Sequence, residues 1–175
     1  EVTAMNERGE IASTATAHLH EIKRVTSIDA SWAAQLVFTS GTTGMPRGVI
    51  QSHRNIASNA RGIAEYLKLT SADRASLILP LFYVYGKSVV TTHLLAGASI
   101  YLDDRFMYPR VVLEAMVEQQ CTGFAGVPLT FELIRRQIDT ATLNFSSLRY
   151  LTQAGGAMAQ ETIDWVRRAF HPAQL

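Results

Sequence analysis

The chain has 175 residues, 47% hydrophobic and only 18% charged, with 16 Lys and Arg against 15 Asp and Glu. That length suits one domain with a real core, and the near-zero net charge argues against a nucleic-acid footprint, which wants a concentrated basic face. The charged share lies below the roughly 25% usual in soluble proteins, so part of the surface is expected to be covered by further protein.

Cys121 is the single cysteine; it permits no internal disulfide and favours a reducing, cytoplasmic setting. The histidines show no metal-like spacing with it. No run reaches the roughly 18 apolar residues of a membrane span, and the first residues lack the basic-then-apolar pattern of a signal peptide. The sequence begins at Glu1 and stops at Leu175 after a helix-like stretch, which predicts a piece of a longer polypeptide.

Residues 1–34 read as an irregular lead-in and residues 35–175 as an α/β subdomain. Leu36, Val37 and Phe38 form a short apolar strand, followed by small and hydroxyl residues from Thr39 to Met45 and by Pro46. Arg47 to Gln51, with Val49 and Ile50, reads as a second strand, so the unit is a hairpin around a glycine- and threonine-rich loop. Ser52 suits the N-cap of a helix carrying Ile56, Ala60, Ile63, Ala64 and Leu67 on one face. Ser76 to Leu79 reads as a buried strand, Val84 to Leu95 as a helix closed by Gly97, and Ser99 to Leu102 as a strand. Pro109 fits the first turn of a helix that runs to Gln120, with Val112, Ala115 and Met116 inward. Gly123 to Val127 reads as a strand, and Pro128 opens a helix with Phe131, Ile134 and Ile138 on one stripe. Leu148 to Gln153 is the last strand, followed by a helix carrying Ile163, Val166 and Phe170. Strands separated by such helices imply crossover connections and a largely parallel sheet with helices on both faces. Ligands bind these sheets outside the carboxyl ends of the strands, here the loops after Phe38, Leu79, Val127 and Gln153.

The segment Thr39 to Gly48 points at phosphate. Gly41, Gly44 and Gly48 let the backbone turn its amides toward one point. The hydroxyls of Thr39, Ser40, Thr42 and Thr43 add donors, and Arg47 adds a planar cation suited to phosphate. The spacing is not that of a Walker loop, which leads through Gly-Lys-Ser/Thr into a helix. The same composition also suits a flexible polar turn.

Phe38 to Ile50, reading FTSGTTGMPRGVI, followed by Ser52-His53-Arg54-Asn55, resembles the signature loop of the ANL superfamily of adenylate-forming enzymes. These are acyl-CoA synthetases, adenylation domains of nonribosomal peptide synthetases and luciferases. The resemblance continues to the end of the chain and makes it part of a larger ANL N-terminal domain. It implies that Thr39, Ser40, Gly41, Thr42, Thr43, Gly44 and Arg47 bind the phosphates of ATP, with Thr43 and Arg47 stabilising charge as pyrophosphate leaves. Arg47 stands where the family usually has lysine, so the charge is kept while the reach and shape of the cation differ.

Two further loops are similar to family segments. Ile78 to Gly86 looks like the part that lines the acid pocket, through Tyr83, Tyr85 and Gly86, with Val127-Pro128 at its edge. The version Tyr83 to Ser88, followed by His93 and Leu94, leans toward acyl-CoA ligases. Ala154 to Met158 looks like the loop beside adenine and acyl group, through Gly155, Gly156 and Ala157. Taken without the resemblance, Tyr83 and Tyr85 suit core aromatics, and Gly155-Gly156 suits a tight turn. His53 and His93 read as structural histidines, Lys87 carries no assigned role, and Arg135-Arg136 and Arg167-Arg168 read as solvated helix faces.

The resemblance implies an AMP-forming carboxylate ligase. Its requirements would be ATP and magnesium, a carboxylic acid substrate and coenzyme A as cosubstrate. A runner-up is an adenylation domain that loads a carrier protein; a reading of another class is a non-catalytic nucleotide-binding or interaction remnant of the fold. The family's magnesium-binding glutamate, ribose-binding aspartate and mobile C-terminal domain with its catalytic lysine have no counterpart before Leu175. No metal ligand is therefore assigned, and the chain alone is expected not to complete the reaction.

Overall fold

The computed structural model of the chain describes residues 27–39 and 47–175. Most of the expected lead-in, residues 1–26, and the phosphate-loop residues 40–46 lie outside the described residues. Strands β1 (Ala33–Thr39) and β2 (Arg47–Ser52) pair antiparallel, so the expected hairpin is present. Helix α1 (His53–Tyr66) follows at once. Its start is fixed by a reciprocal cap: the Ser52 hydroxyl accepts from the Asn55 amide at 3.2 Å, and the Asn55 side-chain oxygen accepts from the Ser52 amide at 3.0 Å. As the periodicity predicted, Ala60 is buried and Ile56, Ile63, Ala64 and Leu67 are half-buried.

Strand and helix then alternate: β3 (Arg74–Leu77), α2 (Val84–Leu95), β4 (Ser99–Leu102), α3 (Pro109–Glu118), β5 (Gly123–Gly126), α4 (Pro128–Gln137), β6 (Tyr150–Gln153) and α5 (Gln160–Ala169). A short 3-10 turn at Thr140–Thr142, not foreseen from sequence, lies between α4 and β6. The four strands β4-β3-β5-β6 form one parallel sheet in that order. After β4 the chain crosses back over β3 to lay down β5, so the direction of strand addition reverses between β3 and β5. Sheets of this kind leave a crevice outside the carboxyl ends at that reversal.

Side-chain alternation sends each strand's residues to opposite faces. Ala75 and Leu77 of β3, Ile100 of β4 and Ala125 of β5 pack with Val89 and Val90 of α2. On the other face Phe124 and Leu151 meet Leu113 and Met116 of α3, Phe131 and Ile134 of α4, and Val166 of α5. Helices therefore cover both faces. Phe170, just past α5, closes that core with its ring centroid 4.7 Å from Phe145 and 6.4 Å from Phe124.

Three boundaries correct the sequence reading. Strand β3 ends at Leu77 rather than Leu79, because its pairing begins two residues earlier, at Arg74↔Ser99. Val127 is not the end of β5 but the cap of α4, its amide donating to the Thr130 hydroxyl at 3.2 Å. Leu148 is buried in the core before β6 begins at Tyr150. In each case an apolar residue that looked like strand lies beyond the ladder, buried at Leu148 and half-buried at Leu79 and Val127.

One carboxylate holds the amino ends of the sheet together. Asp73 is buried, and its Oδ1 accepts from the Thr122 hydroxyl at 2.7 Å and from Arg149 Nε and Nη2 at 2.9 and 2.8 Å. Its Oδ2 accepts from the Thr70 amide at 2.8 Å, and Thr122 in turn accepts from the Arg74 amide at 2.9 Å. Burial alone would raise its pKa, but the hydrogen bonds from Thr122, Thr70 and Arg149 outweigh burial and hold it below the usual value.

A second buried polar pair lies on the α2 face. His93 Nδ1 is 2.7 Å from the Val89 carbonyl, which can only accept, so Nδ1 carries the proton. Nε2 then accepts from the Tyr150 hydroxyl at 2.5 Å. Burial pushes His93 below the usual imidazole pKa, although the Val89 carbonyl and the Asp73 charge pull the other way.

Removing Asp73 strands several donors at once. Asp73→Ala is expected to cost about 2–3 kcal/mol, since the exposed Arg149 and Thr70 can regain water while the half-buried Thr122 cannot fully do so; urea unfolding measures it. For His93 the folded state binds fewer protons than the unfolded chain between its lowered pKa and about 6.5. The stability it contributes is full above that range and declines as pH falls through it. Melting temperatures followed downward through pH 6 are expected to drop, with a shallower slope in His93→Gln.

Candidate functional site

The parallel register brings the loops after β3, β5 and β6 to one edge of the sheet, and glycines let them close on each other. A Cβ on Gly86, in the first turn of α2, would lie 2.7 Å from the Pro80 carbonyl oxygen. Only a bare backbone allows α2 to start that close to the Leu79-Pro80 turn. Gly155 has φ +87, and a Cβ there would meet Val127 Cγ1 at 3.2 Å. The Ala154 amide reaches the Gly126 carbonyl at 3.4 Å, and Gln153 Nε2 donates to the Gly156 carbonyl at 2.8 Å.

Tyr85 joins α2 to this edge. Its hydroxyl donates to the Thr152 hydroxyl at 2.8 Å. Burial raises the Tyr85 pKa, which keeps the phenol protonated and a donor. Tyr85 and Thr152 border a groove of about 220 Å³ on the α2 face of the sheet. Val89 and Ala125 form its apolar wall and Tyr150 lies at its far end. On the opposite face of the same edge, a recess of about 480 Å³ is lined by Leu79, Phe106, Val127 and Leu129.

The structure therefore brings Tyr85, Gly86, Val127, Gly155 and Gly156 of the expected site together. Ala157 is exposed on the same loop. Tyr83 is neither a core aromatic nor part of the groove lining: it is exposed at the cap of α2, with its ring 4.5 Å from that of Phe82. Arg47 opens β2, exposed and paired in the ladder with Thr39. Ser40, Gly41, Thr42, Thr43 and Gly44 lie outside the described residues. The base of the hairpin faces α2 across a recess of about 280 Å³ lined by Gln35, Gln51, Asn59, Leu81 and Lys87.

Sequence reasoning did not single out Thr152 and Tyr150, and it gave His93 no site role. The available signal was Gly123, a glycine inside a strand, which often marks a close approach of another group. A Cβ on Gly123 would fall 2.1 Å from the Tyr150 ring, so the glycine makes room for that tyrosine.

Two kinds of chemistry find no support in these residues. Cys121 is buried, and burial pushes its thiol pKa up to about 11, so it is no nucleophile at neutral pH. Among the described residues no group of His, Cys, Asp or Glu can hold a metal ion; none of them fits a magnesium site. No helix among them is long and apolar enough to cross a membrane.

Gly155→Ala places a side chain at a left-handed position and against Val127. The expected result is a loss of about 1 kcal/mol or more in stability, measured by thermal unfolding.

Comparison with known proteins gives the site its context. A family model described as AMP-binding enzyme matches residues 2–175. The acyl-CoA ligase sidI of Aspergillus fumigatus is 33% identical over 130 residues, covering 72% of this chain and 22% of that protein. The 2-succinylbenzoate–CoA ligase of Bacillus licheniformis is 31% identical over 147 residues, covering 84% of this chain and 30% of that protein. Among solved structures, the o-succinylbenzoate coenzyme A synthetase of Bacillus subtilis in complex with AMP matches with a TM-score of 0.72 and 27% identity, over 83% of this chain and 29% of that one. The chain spans less than a third of the length of each of these relatives. Family match, relatives and fold agree with the signature loop: the chain belongs to the AMP-binding enzyme family, within the ANL superfamily of adenylate-forming enzymes.

Proposed function

We propose that this chain is the ATP-gripping portion of a longer AMP-forming acid–thiol ligase that resembles acyl-CoA synthetases. The observation that carries the reading is the meeting of the Leu79-Pro80, Val127 and Gly155-Gly156 loops at the carboxyl edge, beside a groove bordered by Tyr85 and Thr152. Relatives that are CoA ligases support it.

In this reading the acid lies with its tail in the groove and its carboxylate toward Gly155, Gly156 and Ala157. The residues Thr39 to Gly44 hold the triphosphate with amides and hydroxyls, and Arg47 holds it by charge. A carboxylate oxygen attacks the α-phosphorus, the bond to the β-phosphate oxygen breaks, and pyrophosphate leaves with that electron pair. Both reactants are anionic, so the protein's contribution is to neutralise charge and align the reacting atoms. The thiol of coenzyme A, as its thiolate, then attacks the acyl carbon and expels AMP. No step is assigned to magnesium, which has no site among the described residues. The buried reduced thiol of Cys121 fits a cytoplasmic setting.

The test is carboxylate-dependent exchange of labelled pyrophosphate into ATP by the complete enzyme, without coenzyme A. Exchange is expected with some acids and not others. Arg47→Ala is expected to lower it by about 10²–10³-fold, while Arg47→Lys keeps most of it. Folded enzyme that exchanges with no acid would overturn the proposal.

A further inference from the structure

The groove beside Tyr85 does not run the length of the sheet. It ends at Tyr150, whose ring lies across the bare backbone of Gly123 on the neighbouring strand. The ring is held from several sides. Its hydroxyl donates to His93 Nε2 at 2.5 Å, and the Arg149 guanidinium stands 5.7 Å from its centroid. His93 is in turn fixed by its Nδ1 proton on the Val89 carbonyl. Beyond the ring lies a second recess of about 330 Å³, which opens toward Lys68, Arg149 and Gln174. Tyr66, Leu67 and Tyr150 line both spaces, and Tyr150 is the member that stands on the sheet floor between them.

From Gln153 to Tyr150 the strand advances about 10 Å. A cavity of about 150 Å³ takes a benzene ring, so the groove's volume of about 220 Å³ accommodates one ring with a short linker. The Tyr85, Thr152 and Gln153 end is polar, and the wall formed by Val89 and Ala125 is apolar. That polarity matches an acid with its carboxylate at the loop edge and a compact apolar body inward.

Resting on the function proposed above, we infer that Tyr150 is the length-limiting residue of the acid groove. The enzyme then activates compact carboxylic acids, an aryl or branched body on a short linker, and rejects long straight chains. Taking the ring away joins the two spaces and gives a long chain a path along β6.

The experiment uses pyrophosphate exchange by the complete enzyme with two acid series, aryl acids such as phenylacetate and straight chains from butyrate to laurate. Wild type is expected to favour the compact acids. Tyr150→Val, which retains a good strand former, is expected to raise the laurate-to-phenylacetate rate ratio about tenfold or more. Tyr150→Phe keeps the ring and loses only the His93 hydrogen bond, so its ratio stays at the wild-type value. Tyr150→Leu reads the same ratio if the valine protein does not fold. The inference is overturned by a wild type that uses laurate as readily as phenylacetate. It is overturned equally by valine and leucine proteins whose ratio matches wild type, or by a phenylalanine protein that shifts as far as they do. Acid-dependent exchange without a length effect would leave the function standing and remove only this inference; no exchange with any acid removes both.

Discussion

The buried carboxylate of Asp73 sets the register on which the rest depends. It lies at the amino end of the sheet, where Thr70 leads into β3, Thr122 into β5 and Arg149 into β6, and it binds all three. A parallel strand has no tight turn to fix its alignment with a neighbour, so alignment must come from side chains such as these. Once the amino ends are pinned, strands of four residues each deliver their carboxyl ends to one level. The loops that follow must then meet at one edge. The cost of burying the charge is offset by a full set of donors, which is the condition under which a buried carboxylate is tolerated.

Where the strands end, small residues decide how closely the pieces approach. Gly86 lets α2 begin against the Leu79-Pro80 turn, and Gly155 lets its loop fold onto Val127. Gly123 gives way to the Tyr150 ring on the sheet itself. These glycines cost chain entropy on folding. What they yield is a loop edge made of closely approaching backbone, with Tyr85 bridging from helix to strand through Thr152. The α2 face differs from the opposite one for the same reason. The α3, α4 and α5 face is filled by Phe124, Phe131 and Phe170, whereas the α2 face carries smaller residues, Ala75 and Ala125, and keeps a groove.

The order of elements was legible because local signals coincide with the fold. Pro109 and Pro128 stand in the first turns of α3 and α4, Ser52 caps α1, and the apolar stripes on the helices are the buried faces. Strand limits were less legible. Ile78 and Leu79 are apolar like a strand but pack in the loop beyond it, and nothing local separates the two cases. Of the candidate site, the glycine loops and Tyr85 were visible because their residue types are unusual and resemble family motifs. Tyr83 looked equivalent to Tyr85 in sequence, yet two residues along a helix start turns the side chain to another side, and it is exposed. The Tyr150–His93 pair was hidden because its members are 57 residues apart and meet only through the pairing of β5 with β6. The interval 40–46, within the segment 39–48 read as pointing at phosphate, lies outside the described residues.

The most direct measurement is a crystal structure of the complete enzyme bound to a non-hydrolysable phenylacetyl-adenylate analogue. The account predicts that the adenylate lies beside Gly155 to Ala157. The acyl ring would occupy the groove between Tyr85 and Tyr150, stopping against the Tyr150 ring. An acyl group found in the recess beside Leu79 and Leu129 on the opposite face, with the α2 groove filled by other parts of the chain, would contradict it.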